Sequence, residues 1–272
     1  MPRLAAVLGD PVDHSLSPVL HDHWLRRYGI RGHYVPVHVE QRRLPTVLES
    51  LQQLGFAGVN VTVPHKEQVL QLSDSMSEAA QRIGAANTLT FTASGIHADN
   101  TDAYGFTWNI LDAMPGWQPR HVTLLGAGGA SRAVLAALME QGAFDIRLVN
   151  RNLARAEALA TEFGASVQPV PWTDRHDCLK GCDTLINATT LGMIGKPELT
   201  LNIDELAGDA LVTDLVYTPL ETALLAIARQ RGNPVIDGFG MLLHQAVPAF
   251  ERWFGKRPVV DQDLRNAVLQ KS

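Results

Sequence analysis

Lys66 and Asp102 have side chains that together could transfer a proton. Lys66 comes directly after the segment of residues 59–65, which is a β-branched run followed by Pro64-His65. Asp102 ends the polar sequence Asn100-Thr-Asp102 ahead of a helical pattern. When a hydride is transferred to or from a substrate carbon, the oxygen on that carbon must gain or lose a proton. A lysine held by a carboxylate can exchange that proton. A surface salt bridge would explain the same pair, and Asp102 could equally be a helix N-cap.

A glycine-rich turn at residues 126–131 is a variant of the dinucleotide-binding fingerprint. Its sequence is Gly126-Ala127-Gly128-Gly129-Ala130-Ser131. Ser131 takes the place of the third glycine. A strand pattern precedes the turn and an apolar helix pattern follows it, which is the setting that the motif requires. Glycines allow backbone N–H groups at the helix N-terminus to approach a pyrophosphate. We therefore predict a dinucleotide cofactor here; a glycine-rich turn without a ligand is the alternative.

The residues after the next strand indicate which dinucleotide binds. An NAD-selective fold usually places Asp or Glu there to hold the ribose 2′-hydroxyl. This chain instead has Asn150-Arg151, with Arg155 one helical turn further on. A guanidinium attracts a 2′-phosphate that a carboxylate would repel. The position predicts NADP, although arginines at a surface can also be simply solvated.

Ser15 and Ser17 flank Leu16 at the first predicted strand–helix turn. Two hydroxyl groups beside a helix N-terminus suit a carboxylate ligand. An ordinary helix cap is the alternative, because Pro18 follows Ser17 at the first helical position. No metal site is predicted, since the histidines lack ligand spacing with carboxylates.

Strand and helix patterns alternate along the chain and position these side chains. Strands are predicted at residues 4–8, 34–39, 59–63, 121–125, 146–150, 184–188, 210–216 and 234–236. Helices are predicted at residues 17–28, 44–54, 104–114, 132–141 and 221–231. Such alternation is typical of βαβ units with largely parallel sheets, so the predicted fold class is α/β.

The length of 272 residues corresponds to about two domains at ~150 residues each. A boundary is predicted at residues 115–119, which are rich in Pro and Gly, or just before them along the helix 104–114. The segment from Gly238 onward has two helical patterns and no strand pattern. We expect this C-terminal segment to pack on the first domain.

Composition excludes several classes of protein. Hydrophobic residues make up 46% and the net charge is −5, which is unlike a disordered chain or a general nucleic-acid binder. No apolar run approaches the ~20 residues of a membrane span, and none near the N-terminus resembles a signal peptide. Cys178 and Cys182 are the two cysteines. We therefore expect no nucleic-acid or membrane partner, and a reducing cytoplasm.

Nine motifs in order make the chain resemble the shikimate dehydrogenase family along nearly its whole length. They are Gly9-Asp-Pro-Val-Asp-His-Ser15-Leu-Ser17-Pro, Asn60-Val-Thr62-Val-Pro-His-Lys66, Gly84-Ala-Ala-Asn87-Thr, Asn100-Thr-Asp102, Gly126-Ala-Gly-Gly-Ala-Ser131-Arg, Asn150-Arg151, Asn187-Ala-Thr-Thr-Leu-Gly-Met193, Asp214-Leu-Val-Tyr217 and Gly238-Phe-Gly-Met-Leu-Leu-His-Gln245-Ala. So many ordered motifs are far more specific than any one of them.

The resemblance implies the roles of particular residues. It implies a substrate domain of residues 1–103 and 238–272 with a mainly parallel sheet, and an NADP-binding Rossmann domain of residues 104–237. The implied reaction is reversible NADPH-dependent reduction of 3-dehydroshikimate to shikimate, with Lys66 and Asp102 as the catalytic pair. The implied substrate-binding residues are Ser15, Ser17, Asn60, Thr62, Lys66, Asn87, Asp102, Tyr217 and Gln245. The implied NADP-binding residues are Gly126, Ala127, Gly128, Gly129, Ala130, Ser131, Asn150, Arg151, Arg155, Leu215 and Gly238.

Two positions depart from the family pattern, and two other functions stay open. Asn152 stands where the family often has Thr, and Ala103 stands where Gly is frequent. A relative of broader substrate and cofactor use, which takes quinate as well as shikimate, is one alternative; an acidic residue at the strand end would favour a relative that prefers NAD. A binding protein that senses NADP or a metabolite without turnover is the other, and Lys66 with Asp102 argues against it. A monomer or a homodimer is expected.

Overall fold

Twelve β-strands form two six-stranded sheets in the computed structural model, which describes residues 2–271. One unit contains Met1–Asp102 and Leu243–Ser272, and the other contains Ala103–Leu242. The first division lies one residue before the boundary predicted at 103/104. The second lies five residues after the boundary predicted at 237/238.

The elements follow one another in mostly alternating order. The strands are β1 (Arg3–Gly9), β2 (Gly32–His38), β3 (Phe56–Val61), β4 (Ser75–Met76), β5 (Thr88–Thr92), β6 (Gly95–Asp99), β7 (His121–Leu125), β8 (Asp145–Asn150), β9 (Val167–Pro171), β10 (Thr184–Asn187), β11 (Leu211–Asp214) and β12 (Val235–Ile236). The α-helices are α1 (Ser17–Arg27), α2 (Leu44–Gln53), α3 (Gln68–Gln71), α4 (Glu78–Ile83), α5 (Asp102–Ala113), α6 (Gly129–Glu140), α7 (Leu153–Phe163), α8 (Ala223–Gln230), α9 (Phe239–Phe254) and α10 (Gln262–Leu269). Short 3-10 helices lie at Gln41–Arg43, Trp172–Asp174 and Asp177–Leu179.

The sheet of the first unit is mainly parallel, as predicted. Its strand order is β2-β1-β3-β5-β6-β4. The pairs β1/β2, β1/β3 and β4/β6 are parallel. β5 runs antiparallel to both β3 and β6. The β5–β6 hairpin and β4 occur where the sequence patterns predict no strand. β5 pairs with β3 and so brings the segment around Asn87 alongside it.

The sheet of the second unit is parallel throughout, with the order β12-β11-β10-β7-β8-β9. This is the order of a doubly wound dinucleotide-binding fold. The chain reverses its direction of strand addition between β7 and β10, and ligands of such sheets bind at the carboxyl ends of the strands at that point. The glycine turn begins directly after β7, so the fold places it at this point.

The C-terminal helices complete the apolar core of the first unit. The Trp253 indole on α9 donates to the Leu89 carbonyl over 3.2 Å. Gly58 on β3 leaves room for this indole, because a Cβ there would lie 2.1 Å from Trp253 Nε1. α10 packs against α1, and Arg27 pairs with Asp261, the cap of α10, over 2.6 Å.

Candidate active site

Lys66 and Asp102 form an ion pair in the first unit. Lys66 Nζ donates to Asp102 Oδ2 over 2.6 Å. The Lys66 side chain is 31% exposed and that of Asp102 is 16% exposed. Among residues 2–271 no second acceptor engages Nζ, so two ammonium protons are available to a ligand. The pair therefore combines a held cation with access from solvent.

Asn87 holds the carboxylate from its other side. Asn87 Nδ2 donates to Asp102 Oδ1 over 2.7 Å, and Asn87 is 3% exposed. The Asp102 N–H donates to Asn100 Oδ1 over 3.0 Å. Each carboxylate oxygen therefore has its own donor, which fixes the orientation in which Asp102 faces Lys66.

The turn that carries Lys66 is anchored on both sides. Pro64 stops the β3 pattern, and the His65 N–H then donates to the Thr62 carbonyl over 3.0 Å. The fully buried His65 ring donates from Nε2 to the Val39 carbonyl over 2.7 Å. The Lys66 carbonyl accepts from the Ala86 N–H over 2.8 Å. These contacts fix the backbone that carries the Lys66 side chain.

The other predicted substrate residues of this unit lie at strand ends and helix starts. Ser17 begins α1, and its N–H donates to Ser15 Oγ over 3.3 Å. Thr62 follows β3, and its N–H donates to the Leu8 carbonyl over 2.9 Å. Asn60 on β3 is 6% exposed. Gln245 on α9 joins the site through Oε1, which accepts from Asn87 Nδ2 over 3.4 Å.

The glycine turn of the second unit has the shape of a phosphate cradle. Gly126 has φ 104°, and a Cβ there would lie 3.0 Å from Thr189 Cγ2 and 3.1 Å from the Ala188 carbonyl. Gly128 and Gly129 are exposed, and a Cβ at either would meet nothing within 4 Å. The first N–H groups of α6 lack intrahelical acceptors. The residues present thus fit a dinucleotide pyrophosphate.

Two of the predicted cofactor residues shape this turn from within. Ser131 is fully buried, and its hydroxyl accepts from the Gly128 N–H over 3.2 Å. Asn150 Oδ1 accepts from the Ala127 N–H over 3.2 Å, while its Nδ2 donates to the Asn152 carbonyl over 2.8 Å. Asn150 therefore ties the turn to the end of β8.

Arg151 and Arg155 are exposed beyond the end of β8. In the part of the chain that the structure describes, no acceptor engages either guanidinium, so both are available to an anion. Asn152 caps α7, because its side chain accepts from the Arg155 N–H. The departure from the family's Thr thus keeps a capping residue.

Leu215 and Gly238 meet at the ends of β11 and β12. A Cβ on Gly238 would lie 2.3 Å from the Leu215 carbonyl oxygen. The buried Asp214 accepts from Asn187 Nδ2 over 2.9 Å and from Thr222 Oγ1 over 2.8 Å. Burial raises the pKa of Asp214, while these hydrogen bonds oppose that shift. Asp214 thereby joins the loops that follow β10 and β11.

Tyr217 lies on the second unit, beyond Asp214 in the same motif. Its side chain is 37% exposed, and its ring packs edge-on against Phe239 at 6.1 Å between centroids. No cluster of three or more His, Cys, Asp or Glu side chains within residues 2–271 could hold a metal ion. Over the same residues, no helix combines the length and apolar character of a membrane span.

Three family models match successive parts of the chain. The shikimate dehydrogenase substrate binding domain matches residues 7–89. The model for shikimate / quinate 5-dehydrogenase matches residues 110–197, and the shikimate 5′-dehydrogenase C-terminal domain matches residues 238–263. The matched ranges therefore include both the ion pair's lysine and the glycine turn.

Full-length relatives agree with these models. Shikimate dehydrogenase (NADP(+)) of Dinoroseobacter shibae is 54% identical over 269 residues, which cover 98% of this chain and 97% of the relative. The chain belongs to the shikimate dehydrogenase family. The shikimate 5-dehydrogenase of Thermus thermophilus, solved in complex with NADP(H) and shikimate, superposes with a TM-score of 0.88 at 36% identity, covering 99% of this chain and 100% of that one.

A third similar structure belongs to a quinate dehydrogenase. The enzyme of Corynebacterium glutamicum, in complex with NAD, has a TM-score of 0.92 at 32% identity and covers 99% of both chains. The predictions of the shikimate dehydrogenase family, of the α/β fold and of NADP as cofactor are confirmed. The chain is an NADP-dependent oxidoreductase of the shikimate dehydrogenase family.

Sequence reasoning missed residues that shape the candidate site without contacting solvent. Asn87 Oδ1 accepts from the Thr101 N–H over 2.9 Å and from the Thr88 hydroxyl over 3.0 Å. Thr88, Thr101 and Asn100 lie inside quoted motifs, which is a signal that could have found them. Asp214 likewise begins a quoted motif. Tyr34, which donates to Asn60, lies in none of them.

Proposed function

We propose that the chain catalyses the reversible NADPH-dependent reduction of 3-dehydroshikimate to shikimate. The Lys66–Asp102 ion pair, with its N–O distance of 2.6 Å, is the observation that carries this function. A protein that only bound these ligands would need no lysine held by a carboxylate and still open to solvent. Family membership supplies the substrate class.

Lys66 moves the proton in this reaction. NADPH supplies the hydride when it is bound. In the reduction direction the Lys66 ammonium gives a proton to the substrate oxygen, and in the oxidation direction the neutral amine receives it. Asp102 fixes the amine by accepting from Nζ, and it keeps its orientation because Asn87 occupies its second oxygen. The proton is therefore positioned before the substrate arrives, which lowers the entropic barrier.

The remaining residues bind and orient. Ser15 and Ser17 hold the substrate carboxylate at the start of α1, where the helix dipole favours an anion. Thr62, Asn87 and Gln245 bind ring hydroxyls, and Asn60 and Tyr217 complete the proposed set of substrate-binding residues. The NADP-binding residues are Gly126, Ala127, Gly128, Gly129, Ala130, Ser131, Asn150, Arg151, Arg155, Leu215 and Gly238. Among these, the open surface at Gly128 and Gly129 supports pyrophosphate binding.

A quinate/shikimate dehydrogenase of broader substrate and cofactor use, NAD included, is the second candidate. The similarity to the quinate dehydrogenase of Corynebacterium glutamicum favours it. The strand end after β8 argues against it, because Arg151 and Arg155 stand there without a carboxylate of the kind that holds a ribose 2′-hydroxyl. Substrate and cofactor choice are therefore best tested together.

The test follows the absorbance of reduced nicotinamide with purified protein. Shikimate and quinate are each supplied with NADP and with NAD, and a Lys66→Ala preparation controls for contaminating dehydrogenases. Fast reduction with shikimate and NADP alone supports the proposal. Activity with quinate or NAD instead supports the second candidate, and no activity in any combination contradicts both.

Arg151→Ala is expected to raise KM for NADP by about tenfold, with little change in KM for NAD. A charge-assisted hydrogen bond to the 2′-phosphate is worth about 1.5–3 kcal/mol, and NAD lacks that group. Steady-state kinetics with both cofactors measures the difference. Arg120→Ala is the matched control. Arg120 is also exposed, but it precedes β7 and therefore lies at the amino ends of the strands, whereas the glycine turn lies at their carboxyl ends. Equal losses with both cofactors would contradict the proposed role.

Domain roles, location and assembly complete the proposal. Residues 1–103 and 238–272 form the substrate-binding part, and residues 104–237 form the NADP-binding part. The enzyme works in the cytoplasm as a monomer or homodimer. The free, buried thiols of Cys178 and Cys182 support a reducing compartment.

A further inference from the structure

A continuous buried chain of hydrogen bonds leads from Tyr34 to the catalytic pair. The Tyr34 hydroxyl donates to Asn60 Oδ1 over 2.7 Å. Asn60 Nδ2 donates to the Thr88 hydroxyl over 3.1 Å, which in turn donates to Asn87 Oδ1 over 3.0 Å. Asn87 Nδ2 then donates to Asp102. Neither Tyr34 nor Thr88 has a role in the proposed reaction, yet Tyr34 contacts Asn60, and Thr88 lies between Asn60 and Asn87.

The direction of every hydrogen bond in this chain is fixed by its ends. The Asp102 carboxylate can only accept, and the Thr101 N–H can only donate, so the Asn87 amide has one possible orientation. Asn60 Nδ2 also donates to the Asn87 carbonyl over 3.1 Å, which commits both of its protons. Asn60 Oδ1 must therefore face the Tyr34 hydroxyl as an acceptor.

Tyr34 is held as a neutral donor by its surroundings. The residue is 3% exposed, and its ring stacks on His21 at 3.9 Å with an interplanar angle of 2°. Burial raises the pKa of Tyr34 far above its usual value, and a hydrogen bond with Ser17 opposes this by less. The phenol therefore keeps its proton throughout the working pH range, and its aromatic neighbours prevent it from turning away.

We propose that Tyr34 and Thr88 are positioning residues that fix the orientation of the Asn60 amide. In this orientation Oδ1 is the amide atom that can still accept a hydrogen bond from a substrate hydroxyl. This inference rests on the proposed function. Tyr34 uses one lone pair of Oδ1, and among residues 2–271 no other donor engages the second. Without the Tyr34 hydroxyl, the nearly buried Oδ1 loses its partner, and the side chain shifts away from the position in which it meets the substrate.

Tyr34→Phe is expected to raise KM for shikimate about tenfold and to leave KM for NADP unchanged, because a buried acceptor is left unpaired. Thr88→Val keeps the side-chain shape and removes the same chain of hydrogen bonds, so it should show the same pattern. Tyr28→Phe is the matched control. Its hydroxyl is also hydrogen-bonded in this unit, to the Val259 N–H over 3.0 Å, but it lies outside the network.

A double variant separates positioning from general weakening of the fold. If Tyr34 acts through Asn60, Tyr34→Phe combined with Asn60→Ala should have the KM for shikimate of Asn60→Ala alone. A full additional rise in the double variant would overturn the inference, as would an unchanged KM in Tyr34→Phe. Should Tyr34→Phe not fold, an unchanged KM in Thr88→Val would overturn it. Absence of shikimate turnover by the wild-type enzyme would overturn the proposed function itself, and the inference with it.

Discussion

Lys66→Ala is expected to lower kcat for shikimate oxidation by about 10²-fold or more, the usual contribution of a positioned general acid or base. The variant removes the only group of the ion pair that can exchange a proton with the substrate oxygen. The fold should be unaffected, because the Lys66 side chain is 31% exposed and the turn is anchored through its backbone and His65. Steady-state kinetics with saturating NADP measures the change.

One control variant and one further variant of the ion pair make this result specific. Lys180→Ala removes an exposed lysine outside the site and should keep wild-type kcat. Asp102→Asn should also lower kcat, because a neutral amide attracts the ammonium less and its NH2 group faces either the Lys66 ammonium or the Asn87 amide N–H. Wild-type turnover in Lys66→Ala would refute the assignment of this pair.

Acid is expected to destabilise the fold strongly through His21. His21 is fully buried, and in residues 2–271 neither ring nitrogen has a hydrogen-bond partner. Burial lowers the pKa of His21 from 6.5 to about 3. Between these two values the unfolded chain binds a proton that the folded chain does not. The free energy of unfolding therefore falls as the pH falls, by about 1.4 kcal/mol per pH unit from this residue.

Denaturant unfolding at neutral pH and at about two pH units below the usual His pKa tests this expectation. The wild-type protein should lose roughly 3 kcal/mol more than His21→Phe does over that interval. His21→Phe should be at least as stable as wild type at neutral pH, because it removes unpaired buried nitrogens. His33→Gln, at an exposed histidine of β2, should keep the wild-type pH dependence. An equally steep loss in His21→Phe would contradict the role of His21.

Some elements of both units could be predicted from local patterns. Strand β7 and the start of α1 lie where the sequence places them, because an apolar run before glycines and a Ser-Pro pair are local signals. The β5–β6 hairpin could not be predicted in this way. The Ile96 N–H on β6 donates to Asp74 Oδ2 over 2.7 Å, a contact between residues 22 positions apart. Such a contact leaves no periodic trace in the sequence.

The residues of the candidate site likewise include some that could be predicted from the sequence and some that could not. Motif residues such as Lys66 and Asp102 could be named from type and position, since strand ends in α/β folds gather at one edge of the sheet. Their pairing depends on the Asn87 orientation, which depends on Thr88 and Thr101 across two strands. Tyr34 carries no signal in the sequence, because its function follows from a hydrogen bond to a residue 26 positions away.

Gly238 would tolerate substitution as poorly as a catalytic residue in a screen of all single substitutions for lost growth. It has no functional group, but any side chain would have to displace the backbone of Leu215, because even a Cβ would lie 2.3 Å from that carbonyl oxygen. At Lys66 some replacements resemble the lysine side chain more than others do. At Gly238 every replacement adds a Cβ, so none of them resembles glycine more than another. A tolerance profile in which every substitution fails equally is therefore the signature of an excluded volume, whereas graded failure marks a chemical role.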